Sequence, residues 1–376
     1  MKNGTVPQPS TALAAYGWDS LLDSAFAAHA ERGLVPGRVV RVDRGLCDVV
    51  VPAGADGSGG TTTVRADTED VFTRDPMRVA CTGDWAAVDL TPVTGPAVRA
   101  LLPRRTTFVR STSSKRSEGQ VLAANVDFAV IAVSIAAELD LGRLERFVSL
   151  AWTSGAQPMV VLTKADLVPD STYLLDDARS AAPGVDVRVV SAATGDGVAE
   201  MAEALAGATS VLLGQSGAGK STLTNALLGR EVQEVQAIRD SDGKGRHTTT
   251  TRDLLPLPGG GVVIDTPGLR GVGLWDADAG LTQAFSDIED LAGRCRFQDC
   301  SHTAEPGCAV LAALEDGSLA HRRLDSYRKL LRENAWIASR TDARMRAEMR
   351  REWKQRSAAG REMYERKRGG GHRKVY

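Results

Sequence analysis

Hydrophobic and polar positions alternate with a period of two from about residue 35 to residue 102, which is the pattern of half-buried strands. The alternating segments, which are separated by glycine, proline and aspartate turns, are 38–42, 46–51, 62–65, 79–81 and 85–88. Several short strands so close together predict a small closed β-barrel of the oligonucleotide-binding (OB) type. Barrels of this type either bind nucleic acid or are purely structural, and both interpretations stay open.

Between residues 120 and 280 the pattern changes to continuous apolar runs separated by segments of helical periodicity. Buried strands are predicted at 128–133, 159–162, 187–190, 211–213 and 262–264, and helices at 140–152 and 198–205. This succession predicts a mostly parallel α/β sheet with helices on its faces. Ligands of such sheets bind at the carboxyl ends of the strands, so the polar segments that follow these strands are candidate site residues.

A glycine-rich segment, 214–221, reads GxxxxGKS and lies between the strand at 211–213 and an apolar helical run. The main-chain N–H groups of such a loop and of the following helix start can surround a phosphate chain. The Lys220 side chain can reach the β- and γ-phosphates, and the Ser221 hydroxyl can bind Mg²⁺. The predicted nucleotide-binding residues of this loop are Gly214, Gln215, Ser216, Gly217, Ala218, Gly219, Lys220, Ser221 and Thr222.

Two further segments complete the phosphate side of the predicted site. Residues 265–268 read DTPG directly after a strand, where Asp265 can hold the water shell of Mg²⁺ and the Gly268 N–H can meet the γ-phosphate. Residues 245–252 form a polar loop rich in threonine hydroxyls, several of which are candidates for the second protein ligand of Mg²⁺.

Residues 163–166 read TKAD after the strand at 159–162, and this segment favours guanine over adenine. The Asp166 carboxylate can accept hydrogen bonds from guanine N1–H and N2–H together, while the Lys164 stem lies along the base. Adenine presents no such donor pair, so an ATPase or kinase, the alternative class, would leave this carboxylate unpaired. Ser191 and Ala192 follow the next strand, and their backbone can support guanine O6. The predicted ligands are therefore GTP and GDP.

The five parts expected of a GTPase are all present, but they occur in the order four-five-one-two-three. We therefore expect a circularly permuted P-loop GTPase domain whose rearranged strand ends still meet along one edge of the sheet. Agreement among several motifs on one edge indicates function more strongly than any single motif does.

Four potential metal ligands follow these motifs. Cys295, Cys300, His302 and Cys308 have the compact spacing C-x4-C-x-H-x5-C, and three thiolates with one imidazole suit a tetrahedral structural Zn²⁺. A redox function would require a CxxC pair or a cationic thiol environment, and neither is evident. We predict one structural zinc ion in a small C-terminal helical domain.

The composition disfavours several classes of protein. The net charge is −1, so no global field favours a charged partner. Five cysteines, an odd number, argue against a secreted disulfide framework, and Cys47 and Cys81 are interpreted as core residues. The longest apolar run, 128–137, is too short to cross a bilayer, and the N-terminus lacks a signal-peptide core. We expect a cytoplasmic protein that does not enter a membrane.

These patterns divide the 376 residues into six segments. They are an N-terminal extension (1–34), the OB-like β-barrel (35–102), a basic linker (103–119), the permuted GTPase domain (120–280), the zinc-binding domain (281–338) and a basic, arginine-rich helix and tail (339–376). The linker is either a solvated connector or a contact to phosphate backbones. From Arg340 onward Lys and Arg outnumber Asp and Glu by thirteen to five, which indicates either an RNA-facing arm or a solvated charged segment.

With its rearranged GTPase motifs, its preceding barrel and its cysteine–histidine module, the chain resembles the ribosome small-subunit-dependent GTPase A family. The strings that carry the resemblance are RHTTT (246–250), DTPG (265–268) and CRFQDCSHTAEPGC (295–308). The resemblance implies action late in maturation of the small (30S) ribosomal subunit, which in turn stimulates GTP hydrolysis. We expect the small subunit and its 16S rRNA as partners, with other assembly factors left open, and a monomeric protein.

The resemblance also implies residue roles. Lys220 and Ser221 would bind the phosphates and Mg²⁺, and Thr249, with Thr250 as the alternative, would be the second Mg²⁺ ligand. Two residues depart from ordinary GTPases: Thr163 stands where asparagine is usual, which weakens the expected support of the base loop, and Leu269 stands where many GTPases have a water-orienting glutamine. His247 is then the candidate catalytic group, together with Lys220 and Thr249, although it can equally be a plain loop histidine.

Without a glutamine at position 269, slow turnover is expected in isolation, of the order of 10⁻⁴ to 10⁻² per second. We hypothesise that GTP favours the subunit-bound form and that hydrolysis triggers release. Two alternatives remain, namely an RNA-binding assembly factor with a mainly structural nucleotide, and another permuted ribosome-associated GTPase.

Overall fold

The N-terminal half of the chain contains a closed five-stranded barrel, as the alternating pattern predicts. The computed structural model describes residues 11–54, 60–91, 95–111, 119–231, 252–265 and 278–341. The barrel strands are β1 (Val35–Val42), β2 (Leu46–Pro52), β3 (Thr61–Asp67), β4 (Trp85–Asp89) and β5 (Ala97–Leu101), joined in the order β1-β2-β3-β5-β4. Helix α1 (Ser20–Ala30) packs its Leu22 and Phe26 side chains against Trp18 and Trp85 of this barrel.

Two details of the barrel differ from the predicted strands. Residues 79–81 form no strand, because the buried Asp84 carboxylate accepts the Cys81 N–H and so bends the chain into a loop. Strand β5, which was not predicted, closes the barrel between β3 and β4.

The second unit is a six-stranded α/β sheet. Its strands are β8 (Phe128–Ser134), β9 (Gln157–Thr163), β10 (Asp186–Val190), β11 (Thr209–Leu213), β12 (Leu254–Pro256) and β13 (Val262–Ile264), in the order β10-β9-β8-β11-β13-β12. All neighbours are parallel except β12, which forms an antiparallel pair with β13. The predicted mostly parallel sheet is confirmed, and the carboxyl ends of five strands therefore lie along one edge.

Helices cover both faces of this sheet. Helices α2 (Leu141–Ser154) and α3 (Thr172–Ala181) pack on one face, where Ile131 lies, and α4 (Val198–Ala204) and α5 (Lys220–Leu228) pack on the other, where Val130 lies. Neighbouring residues of one strand point to opposite faces, so a strand buried on both faces reads as a continuous apolar run. This is why apolar runs identified five of the six strands, whereas the short edge strand β12 was not predicted.

The segment expected to be a linker contains part of a hairpin. Strand β6 (Thr107–Ser111) pairs with β7 (Gly119–Ala124), and the Phe108 side chain is only 1% exposed within the core of the α/β unit. The basic residues around Phe108 concealed this strand in the sequence.

The C-terminal part is helical, with α6 (Asp278–Ala284), α7 (Ser286–Ala292), α8 (Ala309–Glu315) and α9 (His321–Thr341). Helices α6 and α7 meet at the buried Phe285. The basic, arginine-rich helix and tail predicted over 339–376 lie, from residue 342 onward, outside the described residues.

A buried ionic network fixes this helical part to the α/β sheet. Arg323 of α9 donates to Glu145 of α2 and, through two nitrogens, to Asp287 of α7. The Arg323 guanidinium also lies 4.2 Å from the ring centroid of Phe285. Glu145 and Arg323 are almost completely buried, so the two units share one continuous interior.

Among the described residues, no helix combines the length and the apolar character that crossing a membrane requires.

Candidate functional site

The glycine-rich segment forms a tight loop between β11 and α5. Gly214 has a φ of +137°, and a Cβ atom there would lie 2.3 Å from the Ala132 carbonyl oxygen of the neighbouring strand, so only glycine fits. Gly217 and Gly219 also have positive φ values, and Gly219 caps the N-terminus of α5. Residues 215–217 are exposed. The loop is therefore an open concave turn that leads into a helix start, as a phosphate-binding loop requires.

The Lys220 ammonium lies against this loop. Its Nζ donates to the carbonyl oxygens of Gly214 at 2.9 Å and of Gln215 at 2.6 Å. Ser221 and Thr222 follow in the first turn of α5 and are half-buried. The cationic group and the hydroxyl predicted to bind phosphate and Mg²⁺ thus lie together at the mouth of the loop.

A hydrogen bond joins this loop to the TKAD segment. Thr163, at the end of β9, is 5% exposed, and its hydroxyl donates to the Ala218 carbonyl oxygen at 2.8 Å. It also lies 3.3 Å from the Val133 carbonyl oxygen of the adjacent strand. Threonine at this position therefore contacts the glycine loop directly.

The residues predicted to read the base lie beside Thr163. The hydroxyl of the buried Ser191 donates to Asp166 Oδ1 at 2.6 Å and accepts the Thr194 N–H at 3.2 Å. Lys164 has a φ of +63°, a left-handed conformation that is uncommon for lysine. Ala192 follows Ser191 in the same loop and is half-buried. The ends of β9 and β10 thus form one continuous polar rim with the glycine loop.

Asp265 ends the strand that lies on the other side of the glycine loop. Strand β13 is parallel to β11, with Ile264 opposite Val211, so Asp265 lies at the same sheet edge. Its main-chain N–H donates to the Asp253 carbonyl oxygen at 3.0 Å. The remaining predicted site residues lie outside the described residues; they are His247, Thr249, Thr250, Gly268 and Leu269.

The four predicted zinc ligands meet in the C-terminal helical part. The ligand atoms of Cys295, Cys300, His302 and Cys308 all lie within 4.8 Å of one another. The Sγ atoms of Cys295 and Cys308 are 3.8 Å apart, and His302 Nδ1 lies 3.6 Å and 3.4 Å from them. Tetrahedral Zn²⁺ with bonds of about 2.3 Å to sulfur and about 2.0 Å to nitrogen separates its ligands by about 3.8 Å (S–S) and about 3.5 Å (S–N). The donor set and its spacing fit zinc.

The loop that carries these ligands is held by its own polar groups. Glu305 accepts the N–H groups of Ser301 at 3.0 Å, Thr303 at 2.8 Å and Ala304 at 3.0 Å. Together with the Ser301 hydroxyl, the largest cause, these donors hold the pKa of the Glu305 carboxyl well below its usual range. Arg328 of α9 donates to the His302 carbonyl oxygen and so ties the loop to the helix.

The two remaining cysteines lie in the core, as predicted. Burial raises the pKa of the Cys47 thiol to about 12 and the pKa of Cys81 well above its ordinary value. Both thiols are therefore inert structural residues.

Several contacts at the site were not predicted. The Thr163–Ala218 hydrogen bond and a contact from barrel residue Thr82 to Arg252 join residues that are 55 and 170 positions apart. No local pattern marks either threonine, because each lies in an ordinary turn or strand end.

Known proteins resemble this chain over most of its length. Residues 101–275 match the profile of the family described as RsgA GTPase. The protein of Streptomyces avermitilis named "Small ribosomal subunit biogenesis GTPase RsgA" is 64% identical over 370 residues, which cover 97% of this chain and 97% of that relative. The protein of the same name from Streptomyces coelicolor is 64% identical over 364 residues, which cover 96% of this chain and 97% of the relative.

Solved structures have the same fold. YjeQ from Thermotoga maritima superimposes with a TM-score of 0.58 at 25% identity, and the match covers 80% of this chain and 98% of that one. YloQ, described as a circularly permuted GTPase, superimposes with a TM-score of 0.58, and the match covers 82% of this chain and 96% of YloQ. At 23% identity this match shows similarity of fold alone. The order of the motifs and their position along one sheet edge are consistent with the 64% identity to the two Streptomyces relatives of similar length. The chain belongs to the RsgA family of circularly permuted GTPases.

Proposed function

We propose that this chain hydrolyses GTP at the edge formed by its rearranged strand ends, and that it acts in biogenesis of the small ribosomal subunit. The observation that best supports this site is the Thr163–Ala218 hydrogen bond, because it joins the TKAD loop, proposed to read the base, to the glycine loop, proposed to bind phosphate. Two relatives of 64% identity bear the name "Small ribosomal subunit biogenesis GTPase RsgA" and support the biological assignment.

The phosphate chain would lie in the turn of residues 214–219, with main-chain N–H groups and the Lys220 ammonium around it. Lys220 now contacts the carbonyl oxygens of Gly214 and Gln215, so the incoming β- and γ-phosphates would compete for a cation already at the loop. Phosphoryl transfer to water requires mainly such positioning and charge stabilisation.

The base would be read by Asp166. The Ser191 hydroxyl donates to one carboxylate oxygen of Asp166 and restrains the orientation of the group, which supports the proposal that the carboxylate would accept from guanine N1–H and N2–H. The Ser191–Ala192 backbone would support guanine O6. Guanine is favoured because adenine would not supply the N1–H and N2–H donors that the Asp166 carboxylate can accept beside the Ser191 hydroxyl.

Mg²⁺ would be held by Ser221 in the first turn of α5, by Asp265 through water, and by a switch-I threonine, for which we propose Thr249. The ion neutralises charge on the phosphates when bound. Gly268 would meet the γ-phosphate, and we propose His247 as the group that orients the attacking water, since Leu269 cannot.

One structural Zn²⁺ would be held by Cys295, Cys300, His302 and Cys308, whose interatomic distances support a tetrahedral ion. Because α6 and α7 are the next helices that the structure describes after the DTPG segment in the chain, we propose that a movement at that segment on loss of the γ-phosphate would act on this domain. We propose that the GTP form binds the subunit and its 16S rRNA as a monomer in the cytoplasm, and that hydrolysis releases it.

The test is GTP hydrolysis, measured as phosphate release with and without purified small ribosomal subunits. We expect slow turnover alone, of the order of 10⁻⁴ to 10⁻² per second, and a large increase with small but not large subunits. Lys220→Ala is the control variant and should abolish both rates. No stimulation, or equal subunit affinity with GDP and with a non-hydrolysable GTP analogue, would favour an RNA-binding factor whose nucleotide is structural.

A further inference from the structure

The barrel touches the strand pair that ends at Asp265. The hydroxyl of Thr82, a 3%-exposed residue in the loop before β4, donates to the Arg252 carbonyl oxygen at 3.0 Å. Arg252 immediately precedes Asp253, whose own carbonyl oxygen accepts the Asp265 N–H at 3.0 Å. Two hydrogen bonds therefore connect the barrel to the main chain at the phosphate edge of the nucleotide site.

The loop that presents Thr82 is rigid. The Asp84 carboxylate is fully buried and accepts the Cys81 N–H at 2.8 Å and the Arg104 guanidinium through two nitrogens at 2.7 and 2.8 Å. Arg104 also donates to the carbonyl oxygens of Met77 and Val79. Because these bonds close the loop on itself, the Thr82 hydroxyl has a fixed position.

The same loop lies against the strand that carries Asp265. Gly83 has a φ of +94°, and a Cβ atom there would lie 3.2 Å from Ile264 Cδ1 and 2.2 Å from the Ala124 carbonyl oxygen. The Gly83 carbonyl oxygen accepts the Asn125 side-chain N–H at 3.0 Å. The barrel loop is thus wedged between the β7 end and the residue that precedes Asp265.

A second, weaker contact lies beside the first. Arg41 of β1 is paired with Asp253 at 3.7 Å, with both side chains partly exposed. An exposed pair at this distance contributes little by itself. It does, however, bring a second barrel residue onto the β12 segment.

We propose that the barrel, through Thr82 with support from Arg41, positions the β12–β13 strand pair for GTP hydrolysis. Thr82 is a positioning residue: it holds Arg252, which follows the threonine run of switch I, and through Asp253 it holds Asp265. This inference rests on the proposed function, because Asp265 would lie near the reacting phosphate only if the chain hydrolyses GTP. A ligand bound to the barrel could then change the hydrolysis rate through this contact.

The expected effect falls on the chemical step rather than on binding. The base and the β-phosphate are bound by other loops, whereas misplacement of a group near the reacting phosphate by a fraction of an ångström lowers the rate directly. Loss of the Thr82 hydroxyl should lower the single-turnover rate roughly 5- to 20-fold. The affinity for GDP should change by less than about twofold, because GDP lacks the phosphate concerned.

The experiment compares Thr82→Val, which keeps the shape but removes the donor, with Thr82→Ser, which keeps the donor. Thr62→Val, at an exposed barrel threonine, is the matched control. Single-turnover GTP hydrolysis, GDP affinity and hydrogen exchange of the 252–265 peptide are measured for each. We expect Thr82→Val to hydrolyse GTP more slowly than the wild type and to show faster hydrogen exchange in the 252–265 peptide. Thr82→Ser and Thr62→Val should have hydrolysis and exchange rates close to those of the wild type.

A wild-type hydrolysis rate in Thr82→Val overturns the proposal. A loss of GDP affinity as large as the loss of the hydrolysis rate also overturns it, because such a result indicates a merely structural role. If Thr82→Val does not fold, Arg41→Gln is tested instead, with Arg44→Gln at an exposed arginine as its control. A hydrolysis rate two- to threefold lower in Arg41→Gln than in Arg44→Gln supports the proposal, and equal rates overturn it. If the wild-type protein itself fails to hydrolyse GTP, the proposed function fails instead.

Discussion

The Thr163 hydroxyl donates a 2.8 Å hydrogen bond to the Ala218 carbonyl oxygen, and this bond joins two loops that lie in reversed order along the permuted chain. Strand β9, which carries Thr163, precedes the glycine-loop strand β11 in sequence, and β8 lies between them in the sheet. Permutation changes where the chain begins and ends but leaves the neighbours in the sheet the same. The TKAD loop and the glycine loop, for which we propose base reading and phosphate binding, can therefore still contact each other directly.

Replacement of Thr163 by valine should weaken binding of GTP and GDP alike. Valine keeps the shape of threonine but leaves the Ala218 carbonyl oxygen without this donor and frees the two loops from each other. We expect a cost of about 1–2 kcal/mol, or roughly 5- to 30-fold in Kd. Titration with a fluorescent GDP derivative measures the effect.

Thr163→Ser is the matched variant, since it keeps the hydroxyl, and its affinity should stay within about threefold of wild type. Equal affinities for the valine variant and the wild type would mean that the two loops do not depend on this bond.

Removal of one zinc ligand should release the metal and unfold the loop of residues 295–308. Zinc contributes about 10–16 kcal/mol to the folding of small metal-binding peptides, and this loop has little core of its own. We expect one zinc per chain by elemental analysis for the wild type, and well below half an equivalent for Cys308→Ser.

Cys47→Ala is the control and should retain its zinc. Because burial raises the pKa of Cys47 to about 12, a thiol reagent at pH 8 should modify only the three cluster cysteines after chelation. A zinc content of one in Cys308→Ser, or none in the wild type, would refute the assignment.

Arg323 should be the residue on which the junction between the sheet and the C-terminal helices depends. Arg323→Met removes the cation shared by the buried Glu145 carboxylate, which keeps its 2.9 Å contact with Arg322, and by the half-buried Asp287. Such a change is expected to cost about 3–5 kcal/mol. Urea unfolding followed by tryptophan fluorescence measures the loss.

Arg332→Met, at an exposed arginine of the same helix, should leave the unfolding midpoint unchanged. The double variant Glu145→Leu/Arg323→Met should recover part of the stability, because it also removes the buried Glu145 carboxylate and the cost of keeping it charged in the interior. An Arg323→Met protein as stable as the Arg332 control would show that the network contributes little.

The glycine loop, the motifs at the strand ends and the cysteine–histidine cluster were predictable because their geometry is local. In GxxxxGKS, or between Cys295 and Cys308, the spacing of a few residues largely determines which atoms can meet. The strands on which they depend are buried on both faces and therefore read as apolar runs.

Contacts between distant segments were not predictable in this way. Of residues 107–109, the part of strand β6 whose burial the structure describes, only Phe108 is fully buried, and its neighbours are basic and hydroxylated, so the segment reads as a linker. Arg323 meets Glu145 across 178 positions, and Arg38 lies buried between the barrel and Thr209 across 171. Arginine is usually exposed, so sequence alone gives no reason to place either residue in the interior.

The most direct test of a single guanine nucleotide site is competition binding to the wild type and to Asp166→Asn. We expect GTP and GDP, but not ATP, to displace a fluorescent GDP from the wild type. In Asp166→Asn an NH2 group replaces one carboxylate oxygen. This group repels guanine N2–H but can donate to the C2 carbonyl of xanthine. The base preference should therefore invert, with xanthosine nucleotides binding more tightly than GTP. Displacement by ATP as effective as by GTP, or an unchanged preference for guanine in Asp166→Asn, would contradict a guanine site built from the TKAD and glycine loops.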